Sequence, residues 1–303
     1  MSYIDIIFER EDLASPGLSM CAGCGAELIL RTTLKVFGKN TVVGIPPGCL
    51  AGGGATGWNF DNGLKVPVHI PLLTNTASLL SGVKQAFLKK GKDDINVIAI
   101  AGDGATSDAG MQSLSGSAER GENIVYICYD NEGYMNTGFQ RSGTTCIGSR
   151  TSTTPPGKGS SGKRQFQKDM PLIMAMHNIA YVATISPANM KDMVTKLEKA
   201  KSIKKGFSYI HAFAPCPTGW KSLPEDSIKI AKKALKTNYF PLFEAENGIF
   251  KLNYDNKKPE PVVEFIKMLG KYKHCDENLI QRLQEFVDQR YEKIKKLASN
   301  CKN

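Results

Sequence analysis

The sequence has no run approaching the roughly eighteen apolar residues that a membrane-crossing helix needs, so no membrane role is expected. It also lacks the basic-then-apolar start of a secretory leader, because Asp5, Glu9, Glu11 and Asp12 stand where such a leader would be positive and then greasy. Both absences place the chain in the cytoplasm. The formal net charge is +10, yet the lysines are not interleaved with aromatics, which make up only 8% of the residues, and this argues against nucleic acid as a partner. An acidic electron carrier is still compatible with that charge. No internal repeat is visible, which excludes a solenoid or propeller.

What is present suits one large globular unit. At 303 residues, with 41% hydrophobic and 22% charged content, the chain can bury a full-sized core. Periodicity and punctuation predict helices at Ala26–Phe37, Thr76–Lys89, Asp108–Arg120, Pro171–Asn178 and Ala188–Ser202. They alternate with short β-branched runs at Thr41–Ile45, Ile95–Ile100, Ile124–Tyr129, Tyr181–Ile185 and Tyr209–Phe213, the pattern of strands buried on both faces. The reading is an α/β fold with a doubly wound parallel sheet over residues 1–220. Residues 221–303 read as a C-terminal extension, packed on that domain or on a partner subunit. It carries a basic helix at Ser227–Thr237, a hairpin around Glu246-Asn247-Gly248 and an amphipathic helix from Glu277 to about Ala298. Ser142–Lys168, rich in Gly, Ser, Thr, Pro and Lys, reads as a long functional loop or lid.

One turn carries most of the chemistry. Gly102-Asp103-Gly104 closes a strand and opens a helix, and Asn131, 27 residues after Gly104, ends the next strand. Ligands of α/β sheets sit at the carboxyl ends of strands, so these two ends converge. Mg²⁺ wants about six oxygens and takes few of them from protein, the rest coming from phosphates and water. The Asp103 carboxylate, the Asn131 amide oxygen and a backbone carbonyl near Gly133 are candidates for that share. The flanking glycines Gly102 and Gly104 let backbone approach a diphosphate, and the following helix adds free N–H groups. The plain alternative is an ordinary βα turn. The arrangement resembles the motif of thiamine diphosphate enzymes. Gly157-Lys158-Gly159-Ser160-Ser161-Gly162-Lys163-Arg164 nearly matches a phosphate-binding loop, but Arg164 stands where Ser or Thr must hold Mg²⁺ and no strand precedes it, so it reads as a mobile basic loop.

Eight cysteines in a cytosolic chain are not a disulfide framework. Cys21 and Cys24 form a Cys-x-x-Cys pair, Cys49 follows Pro46-Pro47-Gly48 at a strand end, and Cys216 lies between Pro215 and Pro217 at another. There is no second Cys-x-x-Cys pair of the kind zinc ribbons use, and one pair plus two isolated cysteines better suits a [4Fe-4S] cluster. Structural zinc and a redox Cys-x-x-Cys remain the alternatives. Cys128 reads as core, Cys275 and Cys301 have no partner by spacing, and Cys146 is left unassigned. His69, His177, His211 and His274 need no catalytic role.

At Tyr129-Asp130-Asn131-Glu132-Gly133-Tyr134-Met135-Asn136-Thr137-Gly138-Phe139-Gln140-Arg141-Ser142-Gly143, with Cys21-Ala22-Gly23-Cys24-Gly25 and Ala214-Pro215-Cys216-Pro217, the chain resembles the β subunit of pyruvate:ferredoxin oxidoreductase over about residues 15–295. The resemblance implies the diphosphate-binding domain of a thiamine enzyme, with Asp103, Asn131 and Gly133 on Mg²⁺ and Cys21, Cys24, Cys49 and Cys216 on iron. It implies that Tyr134, Asn136 and Thr137 border the thiamine and that Asn136 hydrogen-bonds the substrate. The implied reaction is oxidative decarboxylation of pyruvate, with coenzyme A collecting the acyl group and electrons passing through the cluster to ferredoxin. The stretch His69–Asn75 departs from the pyruvate forms, so 2-oxoisovalerate, oxalate and indolepyruvate stay as alternatives.

Thiamine activation needs a carboxylate from a second domain, for which this chain has no room. The resemblance therefore implies an α subunit supplying the aminopyrimidine-binding domain and its glutamate, and γ and δ subunits, ferredoxin-like, carrying further clusters. Two readings from other classes are a non-redox thiamine diphosphate lyase or synthase subunit with zinc or nothing at the cysteines, and a basic interaction module.

Overall fold

The computed structural model describes residues 2–55 and 63–300; Cys301 lies outside them. The strands are β1 (Thr41–Gly44), β2 (Val68–His69), β3 (Asn96–Gly102), β4 (Val125–Asp130), β5 (Tyr181–Ile185), β6 (Ser208–Phe213), β7 (Phe243–Glu246) and β8 (Ile249–Leu252). They form one sheet in the order β2-β1-β3-β4-β6-β5-β7-β8. The first six are parallel, and β7 and β8 add an antiparallel edge. The hairpin between them turns on Asn247 and Gly248, both at positive φ (48° and 81°), as a two-residue turn of this hand requires.

Ten helices among the described residues are α1 (Tyr3–Phe8), α2 (Gly25–Phe37), α3 (Thr76–Lys89), α4 (Met111–Glu119), α5 (Met170–Ala175), α6 (Met190–Ser202), α7 (Pro217–Trp220), α8 (Ser227–Lys236), α9 (Val263–Ile266) and α10 (Glu277–Asn300). Successive strand residues point to opposite faces. Ile98 and Ile100 accordingly meet Ile29, Leu34, Met193 and Leu197 of α2 and α6. Val97, Ala99 and Ala101 meet the layer holding Leu80, Leu114, Met174 and Ile294 of α3, α4, α5 and α10. A third core joins Trp220, Ile230, Phe265 and Leu283 from the segment after residue 216. None of the described helices is long and apolar enough to cross a membrane.

After β1 the chain moves outward to β2 and then returns to β3 on β1's other side. The connections leaving β1 and β3 therefore diverge, and a crevice opens between their carboxyl ends. Pro47, Gly48 and Cys49 follow β1 there, and Gly102-Asp103-Gly104 lies at the end of β3.

Three features depart from the sequence expectation. The helix expected from Asp108 begins instead as a wide π turn over Ala105–Ala109, where Gly110 N–H reaches back to the Ala105 carbonyl at 2.9 Å, and α4 starts only at Met111. The short elements α1 and β2 were not expected; α1 is held by a reciprocal cap between Ser2 and Asp5. The stretch expected as a long functional loop or lid is a loop, but its first part is built into the molecule: Ser142 through Ser149 are buried. Its polarity misled because its hydroxyls serve internal acceptors. Lys163, expected in a mobile basic loop, is buried too, its ammonium donating to the carbonyls of Gly143 and Thr145.

Candidate active site

Parallel pairing of β3 with β4, Gly102 opposite Tyr129, brings the two strand ends side by side. Asp103 is fully buried and Asn131 nearly so. The Asn131 side-chain oxygen lies 2.9 Å from Asp103 Oδ1 and 3.0 Å from the Gly133 carbonyl oxygen. With Asp103 ionised, three oxygens this close repel unless a cation joins them. Octahedral Mg²⁺, with bonds of about 2.0–2.1 Å, sets neighbouring ligand oxygens roughly 2.9 Å apart. Turned through 180°, the amide would instead donate Nδ2–H to both partners, so one side chain satisfies the corner with or without a cation.

The charge balance points the same way. Asp103 Oδ2 accepts from the Ser142 hydroxyl and, at 3.0 Å, from Thr144 Oγ1, which also lies 2.9 Å from Asp130 Oδ1. Burial and the neighbouring Asp130 carboxylate hold Asp103 well above the usual carboxylate range. Burial also opposes ionisation of Asp130, but the hydrogen bond and charge of His211, at 2.9 Å, outweigh it and keep Asp130 low. His211 in turn hydrogen-bonds the Tyr209 hydroxyl at 2.8 Å. Asp130 is thus balanced by His211, whereas the side chains that donate to Asp103 are the neutral hydroxyls of Ser142 and Thr144.

Gly104 has a steric duty. A Cβ there would stand 2.4 Å from the Tyr134 ring, whose hydroxyl donates to the Gly104 carbonyl at 3.0 Å. Gly102, Gly104, Asn131, Gly133, Tyr134 and Thr137 all line one cavity of about 130 Å³, and Leu73 faces it as well. Asn136 is exposed at its rim. Among the described residues, none that lines it carries a carboxylate.

The four cysteines come from three loops. Ser19 N–H donates to the Gly53 carbonyl at 2.9 Å and Gly25 N–H to the Pro215 carbonyl at 2.9 Å, so the Cys21–Cys24 loop bridges the chain after Cys49 and the chain before Cys216. Cys21, Cys24, Cys49 and Cys216 line a common cavity of about 240 Å³. Burial pushes the Cys24 thiol up to about 11 and Cys49 to about 12, with the neighbouring thiols adding to it. Cys24 and Cys216 occupy helix N-caps, where a thiolate is favoured by the helix dipole.

No three His, Cys, Asp or Glu among the described residues stand close enough to hold a single ion. Cys49 and Asn136 line the four-thiol cavity, the cavity at Asn131 and Gly133, and a third of about 800 Å³ beside them. Cys128 and Cys146 are fully buried core residues, away from this ring.

Sequence reasoning did not reach Asp130, Ser142, Thr144, His211, Glu132, Trp220, Tyr239 or Lys271, which surround the oxygen corner. Only Asp130, Glu132 and Ser142, inside the Tyr129–Gly143 stretch, carried a signal that pointed to them.

Residues 70–212 match the family described as Thiamine pyrophosphate enzyme, C-terminal TPP binding domain. Fold and family match together thus define the class: an α/β domain of the thiamine diphosphate-binding kind. Similarity over the full chain is narrower. The chain is 44% identical to pyruvate synthase subunit PorB of Methanothermobacter thermautotrophicus, covering 92% of this chain and 96% of that one. It is 43% identical to ketoisovalerate oxidoreductase subunit VorB of Pyrococcus horikoshii, covering 97% and 96%. Against the β subunit of NADH-dependent phenylglyoxylate dehydrogenase of Aromatoleum evansii the identity is 45% over 96% of this chain, which spans 66% of that relative's length. The fold is shared with the 2-oxoglutarate:ferredoxin oxidoreductase of Magnetococcus marinus, solved with 2-oxoglutarate, coenzyme A and succinyl-CoA bound, at TM-score 0.60 and 18% identity over 95% of this chain and 90% of that one. The chain belongs to the β-subunit family of the 2-oxoacid:ferredoxin oxidoreductases, and is an oxidoreductase subunit.

Proposed function

We propose that this chain forms the diphosphate-binding half of an enzyme that oxidatively decarboxylates pyruvate, with coenzyme A as acyl acceptor and ferredoxin as electron acceptor. The observation that carries the reading is the meeting of the Asn131 amide with the Asp103 carboxylate at 2.9 Å and the Gly133 carbonyl at 3.0 Å, where Asn131 and Gly133 line a cavity that shares Cys49 and Asn136 with the four-thiol cavity. The PorB and VorB relatives, themselves subunits, support the oxoacid class and the multi-subunit assembly.

In this reading Asp103, Asn131 and the Gly133 carbonyl hold Mg²⁺, and the backbone at Gly102 and Gly104 lies against the diphosphate. Cys21, Cys24, Cys49 and Cys216 hold a [4Fe-4S] cluster. Bound thiamine supplies a nucleophilic carbon and an electron sink, and the cluster a one-electron acceptor. Asn136 presents its amide at the junction of the cavities, where a substrate carbonyl gathers charge. Tyr134 and Thr137 wall the thiamine side. The subunit character of the PorB and VorB relatives supports a partner α subunit that brings the activating glutamate, with γ and δ subunits continuing the electron path.

The test is turnover by the assembled complex with pyruvate, 2-oxoisovalerate, oxalate, indolepyruvate and phenylglyoxylate, each with coenzyme A and ferredoxin. Pyruvate is expected to give the highest kcat/KM. A higher value for another oxoacid would overturn the substrate, and turnover without an electron acceptor would overturn the redox reading.

A further inference from the structure

Between the two loop ligands Asn131 and Gly133 stands Glu132, buried and at φ 64°, a left-handed conformation that residues with a Cβ rarely adopt. Its peptide is held on both sides: its N–H donates to Asp130 Oδ1 at 2.8 Å and its carbonyl accepts from Thr145 Oγ1 at 2.7 Å. Its carboxylate runs away from the oxygen corner into the segment after residue 220. There Oε1 accepts from the Tyr239 hydroxyl at 2.6 Å and Oε2 pairs with Lys271 Nζ at 2.5 Å. Lys271 is 1% exposed and its ammonium lies 4.2 Å over the ring of Trp220. Trp220, itself fully buried, donates Nε1–H to the Asn131 carbonyl at 2.8 Å.

A buried ion pair is a poor source of stability, since desolvation of the two charges offsets most of their attraction; its best-attested use is to fix one arrangement. Here the arrangement it fixes is the strained residue between two cation ligands. We infer that Lys271 is a positioning residue which, with Trp220 and Tyr239, clamps the Asn131–Gly133 loop in its ligating shape, so that residues 221–303 serve the cofactor site directly. The clamp also reaches the thiol cavity. Trp220 ends the same short helix that Cys216 caps, and Trp220 N–H bonds the Cys216 carbonyl at 2.8 Å. Gly219 within it packs so close to Met135, the neighbour of Asn136, that a Cβ would come within 2.3 Å of the Met135 sulfur.

The inference rests on the cation site proposed above, and its test separates the two. Wild type, Asp103→Asn, Trp220→Phe and Lys271→Met are prepared in the assembled complex, freed of cation and thiamine diphosphate. Bound thiamine diphosphate is then measured against Mg²⁺ concentration, well below each variant's own unfolding temperature. Trp220→Phe keeps an aromatic side chain but loses the indole N–H and part of the ring volume, and should raise the half-saturating Mg²⁺ concentration about fivefold. Lys271→Met leaves a buried carboxylate without its partner and should raise it more than about tenfold. If Lys271→Met does not fold, Trp220→Phe decides alone. Wild-type Mg²⁺ dependence in a folded Trp220→Phe or Lys271→Met, with binding lost in Asp103→Asn, overturns the clamp. Unchanged binding in Asp103→Asn overturns the cation site itself.

Discussion

The oxygen corner and the thiol ring share a wall yet are built in opposite ways. The oxygen corner stands on the ends of two hydrogen-bonded neighbours, β3 and β4, and Asp103 and Asn131 are buried in it and held by Ser142, Thr144, Trp220 and the Glu132 network. The thiol ring is collected from three loops; β1 and β6, which lead to Cys49 and Cys216, are separated by β3 and β4, and Cys21 is exposed. A corner preorganised by a sheet binds without rearranging. A ring assembled from loops is organised by what it binds, as metal-coupled folding generally is.

Four changes would break or sharpen that contrast. Asp103→Ala should weaken Mg²⁺-dependent binding of thiamine diphosphate by more than about 100-fold while leaving iron content unchanged, as measured by equilibrium dialysis and metal analysis. Gly104→Ala, which drives a methyl into the Tyr134 ring, should weaken the same binding about tenfold with little change in thermal stability. Thr144→Val removes the hydroxyl shared by two buried carboxylates and should cost about fivefold in cofactor affinity.

The smallest effect lies far from both regions. Burial opposes ionisation of Glu244, but hydrogen bonds from Tyr181 and Asn253 and the nearby Lys199 and Lys251 outweigh it and bring the carboxyl down to about 2. A carboxyl depressed by folding stabilises above its unfolded value of about 4.5 and loses that contribution as pH falls towards 2. Glu244→Gln should therefore lower Tm by a few degrees near neutrality, with the difference vanishing in acid and turnover unaffected.

The same contrast governs what could be read from sequence. Gly102-Asp103-Gly104 and Asn131 lie on one βαβ unit, so local spacing was enough to bring them together. The cysteines required a resemblance as well, because convergence of loops after β1 and β6 depends on strand order. The hairpin at Asn247-Gly248 was legible because its turn demands those residues. The clamp was not: Lys271 sits beside Lys273 in a basic tail and reads as a solvated charge, and Glu132 reads as a loop carboxylate. Buried charges leave no mark in hydrophobic periodicity. The polar run Ser142–Ser149 misled for the same reason, since hydroxyls that satisfy buried carboxylates look like a surface loop.

The most direct measurement is on the double variant Cys21→Ser, Cys24→Ser, purified anaerobically in the assembled complex beside the wild type. Serine caps helices well, so α2 keeps its start. Iron and bound thiamine diphosphate are then counted per complex. The expected result is a loss of about four irons for each copy of this chain, with thiamine diphosphate retained. Unchanged iron, or zinc in the wild type that disappears in the variant, would contradict the union of a thiamine site and an iron–sulfur cluster on one sheet.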